Sequence, residues 1–248
     1  EQKVVAGLHR LANPDTIDIE SDLALIAVVG RGMKSTRGVS GRIFSALAHK
    51  NVNVKMIDQG SSELNIIIGV ANDDFETTDE AEMTVSLLES IKNQYSVDEN
   101  RLYATGQSMG CMTAMYLNTK YPDLFAASLF VSGQWDVSEM DEFANEKFFY
   151  IVAEGDKKAS TGMEELKQVL EAKGANISSA VWDATWSADE FDTAVQTMLS
   201  EGNSINFVKF KSGTVLPEGE GGNEHMHSFD YAYRIEGVRD WLFEQVKE

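Results

Sequence analysis

One stretch, "RLYATGQSMGCM" from Arg101 to Met112, constrains the fold more than any other. A β-type run, RLYAT, meets Gly106, then Ser108 between two glycines, then a segment that reads as a helix until Pro122 stops it. The rest of the chain keeps this alternation. Strands are expected at 101–105, 125–131, 147–153, 177–182 and 205–210, and helices at 109–119, 138–145, 161–173, 188–200 and 229–246. Strand and helix in strict turn describe an α/β chain with a mainly parallel sheet and flanking helices. "PEGEGGNE" (217–224) reads as a glycine-rich acidic loop.

The residues before this run are organised differently. "LALIAVVG" (23–30) is a short apolar strand, and "VSGRIFSALAHK" (39–50) sets Val39, Ile43, Phe44, Leu47 and Ala48 on one helical face. "NVNVKMID" alternates Val52, Val54 and Met56 with polar neighbours, a half-buried strand, and "ELNIIIGV" is the next. The order is β-α-β-β, with the last two strands close enough for a hairpin. Asp79 and Glu82 fit a capping box for a helix whose apolar face is Met83, Leu87, Leu88, Ile91 and Tyr95.

Charge divides the chain at the same place. Residues 1–76 carry 8 Lys and Arg against 10 Asp and Glu, and residues 77–248 carry 13 against 30. Two modules, 1–76 and 77–248, are therefore expected. The acidic second part repels nucleic acid and anionic membrane, so neither is an expected partner. No apolar run is long enough to span a bilayer. Cys111 is the sole cysteine, which rules out an internal disulfide. No His, Cys and carboxylate cluster has metal spacing, and no glycine-rich loop is built for phosphate, so neither a metal nor a cofactor is expected. The sequence starts at Glu1 without Met or a signal-like segment, as a trimmed or partial chain would.

The pattern Gly-x-Ser-x-Gly between strand and helix is that of a nucleophile elbow. Gly106 and Gly110 remove side chains where the turn is strained and where helix and strand approach. A serine there needs an imidazole base and a carboxylate to hold its tautomer, in the order Ser, Asp or Glu, His. Asp156 follows the next-but-one strand, and His225 and His227 come later. Asp183, after another strand, is the rival acid. Simpler readings compete: Asp156 as a turn residue, His227 at the surface, Cys111 packed behind the turn, Trp135, Trp182 and Trp186 as buried aromatics rather than walls of a groove, and Trp241 as core. His9 and His49 have no partner pattern and read as solvent-facing.

The first module, through VVGRGM, RIFSAL and MIDQGSSELNI, resembles the regulatory ACT domain of aspartokinases over about residues 20–76. The resemblance implies a free amino acid as effector, held by Arg31, Gly32 and Met33 after the first strand and by Asp58, Gln59 and Ser61 after the second. It also implies a homodimer through this module. The QGSSELNI type is similar to the second ACT copy of those enzymes, which often pairs with the first copy and need not hold the effector itself, so packing or dimerisation is expected ahead of effector binding. A cytoplasmic setting is favoured on this resemblance alone.

Beyond residue 79, "DENRLYATGQSMGCM", "YPDLFAASLFVSGQWD", "IVAEGDKKAS" and "EHMHSFDYAYRIEGVRDWLF" resemble the esterase branch of the α/β hydrolases, the feruloyl and acetyl esterases and polyhydroxyalkanoate-depolymerase-like enzymes. The resemblance makes Ser108 the nucleophile, Asp156 the acid, His225 rather than His227 the base, and the Met109 N–H an oxyanion donor. A small ester is the implied substrate. Those enzymes begin with further strands and an HG-type motif that supplies the second donor, and this chain has neither. The fold expected is thus an ACT-like βαββ segment followed by a truncated α/β-hydrolase sheet. Two readings of that joint stay open. The ACT-like strands cover the outer edge of 101–105 and lend amides near the serine, or an aspartokinase piece simply adjoins an impaired esterase piece. A regulatory or dimerising protein with an inert hydrolase remnant is the rival function.

Overall fold

The computed structural model describes residues 10–11, 23–29, 37–49, 53–58, 65–71, 78–216 and 222–247. They fall into two compact units, Glu1–Ser90 and Ile91–Glu248.

In the first unit, β1 (Leu23–Val29), β2 (Val54–Asp58) and β3 (Asn65–Ala71) form a sheet in the order β1-β3-β2. Both pairings are antiparallel, β2 with β3 as the expected hairpin and β1 with β3 opposite, Ala27 facing Ile67. Helix α1 (Val39–His49) buries Val39, Ile43 and Leu47 at the three- and four-residue spacing of a helical stripe. Ala48, expected on that stripe, is exposed. In β3, Ile66 and Ile68 are buried while Ile67 between them is half-buried, the alternation of a pleated strand. The half-buried pattern expected for β2 fails. Its register shifts between Val54 and Met56, and Met56 and Ile57 are both exposed. Helix α2 (Thr78–Gln94) starts one residue before the expected cap, with Asp79 inside it. The side chains of Asp79, Glu82 and Met83 lie outside the described residues, as do His9, the ring of His49, and Arg31, Gly32, Met33, Gln59 and Ser61 of the effector reading.

The second unit holds β4 (Tyr103–Gln107), β5 (Ala127–Val131), β6 (Phe148–Ala153), β7 (Ile177–Trp182) and β8 (Ile205–Phe210). Their order is β4-β5-β6-β8-β7 and every pairing is parallel. Successive side chains of β6 go to opposite faces. Phe148, Tyr150 and Val152 join a core with α3 (Met109–Lys120) and α4 (Lys157–Ala172). Phe149, Ile151 and Ala153 join another with α5 (Ala188–Leu199), α6 (Glu224–Ala232) and α7 (Glu236–Glu244). Each fully buried side chain of this size contributes about 1.5–3 kcal/mol through water removed from apolar surface. With both faces covered, β5 and β6 are buried at every position, which explains the unbroken apolar run of β6, and the one polar residue of β5, Ser128, donates its hydroxyl to Asn118 Oδ1. Among the described residues β4 is an end strand of its sheet.

Several boundaries differ from expectation. Strand 101–105 begins later because Asp98 accepts from the Asn100 N–H and opens a 3-10 turn, Glu99–Arg101. The helix expected at 138–145 is two 3-10 turns, Val137–Glu139 and Asp141–Asn145. Asp136 accepts from both the N–H and the hydroxyl of Ser138, which starts the first turn separately. Helix α4 starts at Lys157 rather than 161 because Asp156 caps it through the Ala159 N–H. The single helix expected at 229–246 is two, parted near Ile235, whose buried side chain together with Val238 fixes the new helix on the core. Trp182 and Trp241 are core residues, and Trp186 packs partly on that core against Phe191.

Candidate active site

The C-terminal ends of parallel strands collect side chains from residues far apart in sequence. β4 ends at Gln107, and the chain turns through Ser108 into α3 with φ 52° and ψ −118°, a conformation a non-glycine residue rarely adopts. The neighbours hold it there. The Ser108 N–H donates to the Val131 carbonyl at the end of β5 at 2.9 Å, and the Ser108 carbonyl accepts from the Met112 N–H at 3.1 Å. A Cβ on Gly106 would collide with the Gly110 backbone, so the strand and the first turn of α3 touch there. Gly110 itself has open space around its missing side chain, so of these two glycines Gly106 is the one the packing requires. Gly133, which the sequence reading passed over, faces the same constraint: a Cβ on it would press on the Ser108 carbonyl and on Cys111.

Ser108 is the N-cap of α3 but makes no side-chain capping bond. Its hydroxyl is 2.8 Å from His225 Nε2. His225 Nδ1 is 2.5 Å from Asp156 Oδ2. The carboxylate can only accept, so Nδ1 carries the proton and the Nε2 lone pair faces the serine hydroxyl. Asp156, 8% exposed, uses its other oxygen to accept from the Ala159 N–H at 3.2 Å. One carboxylate thus caps a helix and orients an imidazole. Phe229 meets the imidazole edge-on, with ring centres 5.2 Å apart.

The alternatives lie elsewhere. Asp183 accepts from the Thr185 N–H and hydroxyl, which hold its carboxyl below the usual range. The His227 ring lies beside Gly222. Burial pushes the Cys111 thiol up to about 12, which leaves no thiolate at neutral pH. Trp135 is half-buried, its indole N–H donating to Glu139 and its ring edge-on to Tyr116. A cavity of about 250 Å³ between α4 and the β7 edge, lined by Met163, Lys167 and Phe207 among others, includes none of the three hydrogen-bonded residues. Among the described residues no group of His, Cys, Asp or Glu could hold a metal ion.

Sequence reasoning missed the supports of this relay. Ser132 and Ser228 are fully buried and share a hydrogen bond of 2.7 Å, and Ser228 also donates to the His225 carbonyl at 2.8 Å. Asn223 caps α6 through the His225 N–H. Glu224 accepts from the Gly155 N–H, the Gly213 N–H and the Ser212 hydroxyl. The signal available was Asn223-Glu224 at the start of a helix, where a cap followed by an acid is favoured.

A family profile described as "Putative esterase" matches residues 54–214, well over half of the chain. The chain belongs to this esterase family. An ACT-domain profile matches residues 26–81, so two family segments are joined in one chain, and the two matches overlap from 54 to 81. The esterase match covers Ser108 and Asp156 and ends before His225. Relatives of the first segment include an aspartokinase of Schizosaccharomyces pombe, 47% identical over 51 residues, 21% of this chain and 10% of the relative. Aspartokinase 3 of Bacillus subtilis is 39% identical over 70 residues, 28% of this chain and 15% of the relative. The chain therefore spans a small part of the aspartokinases it matches. Among solved structures, a thermostable esterase is similar over 71% of this chain and 39% of its own, at 21% identity and a TM-score of 0.44. Among the described residues no helix is long and apolar enough to cross a membrane.

Proposed function

We propose that the second unit of this esterase-family chain hydrolyses carboxylic esters through an acyl-enzyme. The supporting observation is the continuous hydrogen-bond relay from Ser108 Oγ through His225 to Asp156. As the hydroxyl attacks an acyl carbonyl, His225 Nε2 takes its proton and Asp156 stabilises the imidazolium that forms. The tetrahedral oxyanion is met by the Met109 N–H, at the first position of α3, where a backbone N–H has no partner within its helix. A donor of this kind is worth about 10²–10³ in rate. His225 then returns the proton to the leaving alcohol, and a water activated by the same imidazole releases the acid. With one donor named, turnover is expected to be slow. The test is hydrolysis of p-nitrophenyl acetate by the whole chain and by Ser108→Ala. Turnover that vanishes in the variant supports the reading, and equal turnover in both refutes it.

The ACT match favours a second reading alongside the first: residues 1–76 bind a free amino acid or pair two copies of the chain. The module joint in this reading lies after residue 76. Calorimetry with lysine, threonine and methionine, run with sedimentation of the chain, tests it. Absence of both heat and dimer removes the reading.

A further inference from the structure

Glu224 precedes His225 and lies in the first turn of α6. Its carboxylate reaches two other loops. Oε2 accepts from the Gly155 N–H at 2.9 Å, one residue before Asp156. Oε1 accepts from the Gly213 N–H at 3.0 Å and the Ser212 hydroxyl at 2.9 Å, in the turn after β8. That turn is held on its other side by Glu154, which accepts from the Ser212 N–H at 2.9 Å. The Glu224 carboxylate packs directly over Gly155, where a Cβ would displace it. The segment carrying the imidazole is thus tied at Glu224 to the loop carrying its acid, and at Ser228 to Ser132 at the end of β5.

We propose that Glu224 is a positioning residue: by fastening the His225 turn to the loops after β6 and β8, it sets the reach of His225 between Asp156 and Ser108. The proposal rests on the Ser108–His225–Asp156 reading. The chemistry requires an ionised carboxylate of this length. Three donors converge on two acceptor oxygens, so a carboxamide turns its NH₂ toward at least one N–H and leaves that arm unmade. Aspartate is one methylene too short for both arms. Ser108, His225 and Asp156 all remain when Glu224 is changed, and no group that would touch the substrate is lost. The loss should therefore fall on kcat and not on KM.

The experiment uses the whole chain, p-nitrophenyl acetate and circular dichroism. Glu224→Gln is expected to fold and to lower kcat by about 10²-fold, the cost of a small misplacement of a catalytic group. KM is expected to stay within about twofold, as it does when only transition-state interactions are lost. Ser212→Ala, which removes one donor of three, is expected to give a smaller fall in kcat at the same KM. Wild-type kcat in folded Glu224→Gln overturns the proposal, and so does a loss carried by KM alone. Should Glu224→Gln fail to fold, Ser212→Ala decides, and unchanged kcat there overturns it. Ser108→Ala runs in parallel: if it keeps full activity, the triad reading has failed, whatever Glu224 does.

Discussion

The two sheets of this chain bury their strands differently. In the first unit β3 alternates, Ile66 and Ile68 inside and Ile67 half-buried, while β2 leaves Met56 and Ile57 exposed. In the second unit every residue of β5 and β6 is buried, because helices cover both faces. The contrast bears on where precise chemistry can be built. A sheet packed on both sides holds its strand ends rigidly, and Ser108 at the end of β4, Asp156 after β6 and His225 after β8 take their distances from that frame. The strained Ser108 backbone is tolerated there because Val131, Gly106 and Gly133 leave it no alternative.

Substitutions can break this contrast, and the largest effect is expected at the serine. Ser108→Ala should lower kcat for p-nitrophenyl acetate by up to about 10⁶-fold, the scale for loss of an activated serine. Asp156→Asn should cost about 10⁴-fold by letting the wrong imidazole tautomer form. The asparagine oxygen still accepts from the Ala159 N–H and caps α4 as well as the aspartate does, so a urea titration should show a change below about 0.5 kcal/mol. Phe149→Ala, which opens a hole beside Trp241, should cost about 3–5 kcal/mol in the same titration. A loss below about 1 kcal/mol would mean that the doubly covered sheet is not the rigid frame described.

Glu146 gives a pH test of the second unit. Burial, reinforced by the charges of Asp123 and Glu142, pushes its carboxyl up from 4.5 to about 7. Between those values the folded protein holds more protons than the unfolded chain, so stability falls as pH rises through that window. Glu146→Gln should flatten this slope, leaving the urea midpoint at pH 8 closer to that at pH 4.5 than in the parent. The smallest effect belongs to the exposed strand of the first unit, where Ile57→Ala should stay within about 0.5 kcal/mol.

Much of the fold was legible because its signals are local. The apolar runs of β5 and β6 and the stripe Val39, Ile43 and Leu47 on α1 are periodicities that burial then uses. The three residues of the relay were legible as a serine between glycines, an acid after a strand and a later histidine. The failures have tertiary causes. Nothing in "YAYRIEG" signals the break between α6 and α7, which arises from Ile235 being drawn into the core. The start of α4 at Lys157 depends on Asp156 serving as cap and imidazole partner together. Glu224 looked like one more acid in an acidic loop, because its three donors come from residues 11 to 69 positions away.

The most direct measurement is active-site labelling. A fluorophosphonate reacts only with a serine whose hydroxyl is activated, and peptide mapping of the labelled chain locates the adduct. We expect one adduct per chain, on Ser108, absent from Ser108→Ala and strongly slowed in His225→Ala. A folded protein that takes up no label at Ser108, or that labels equally well without His225, contradicts the account.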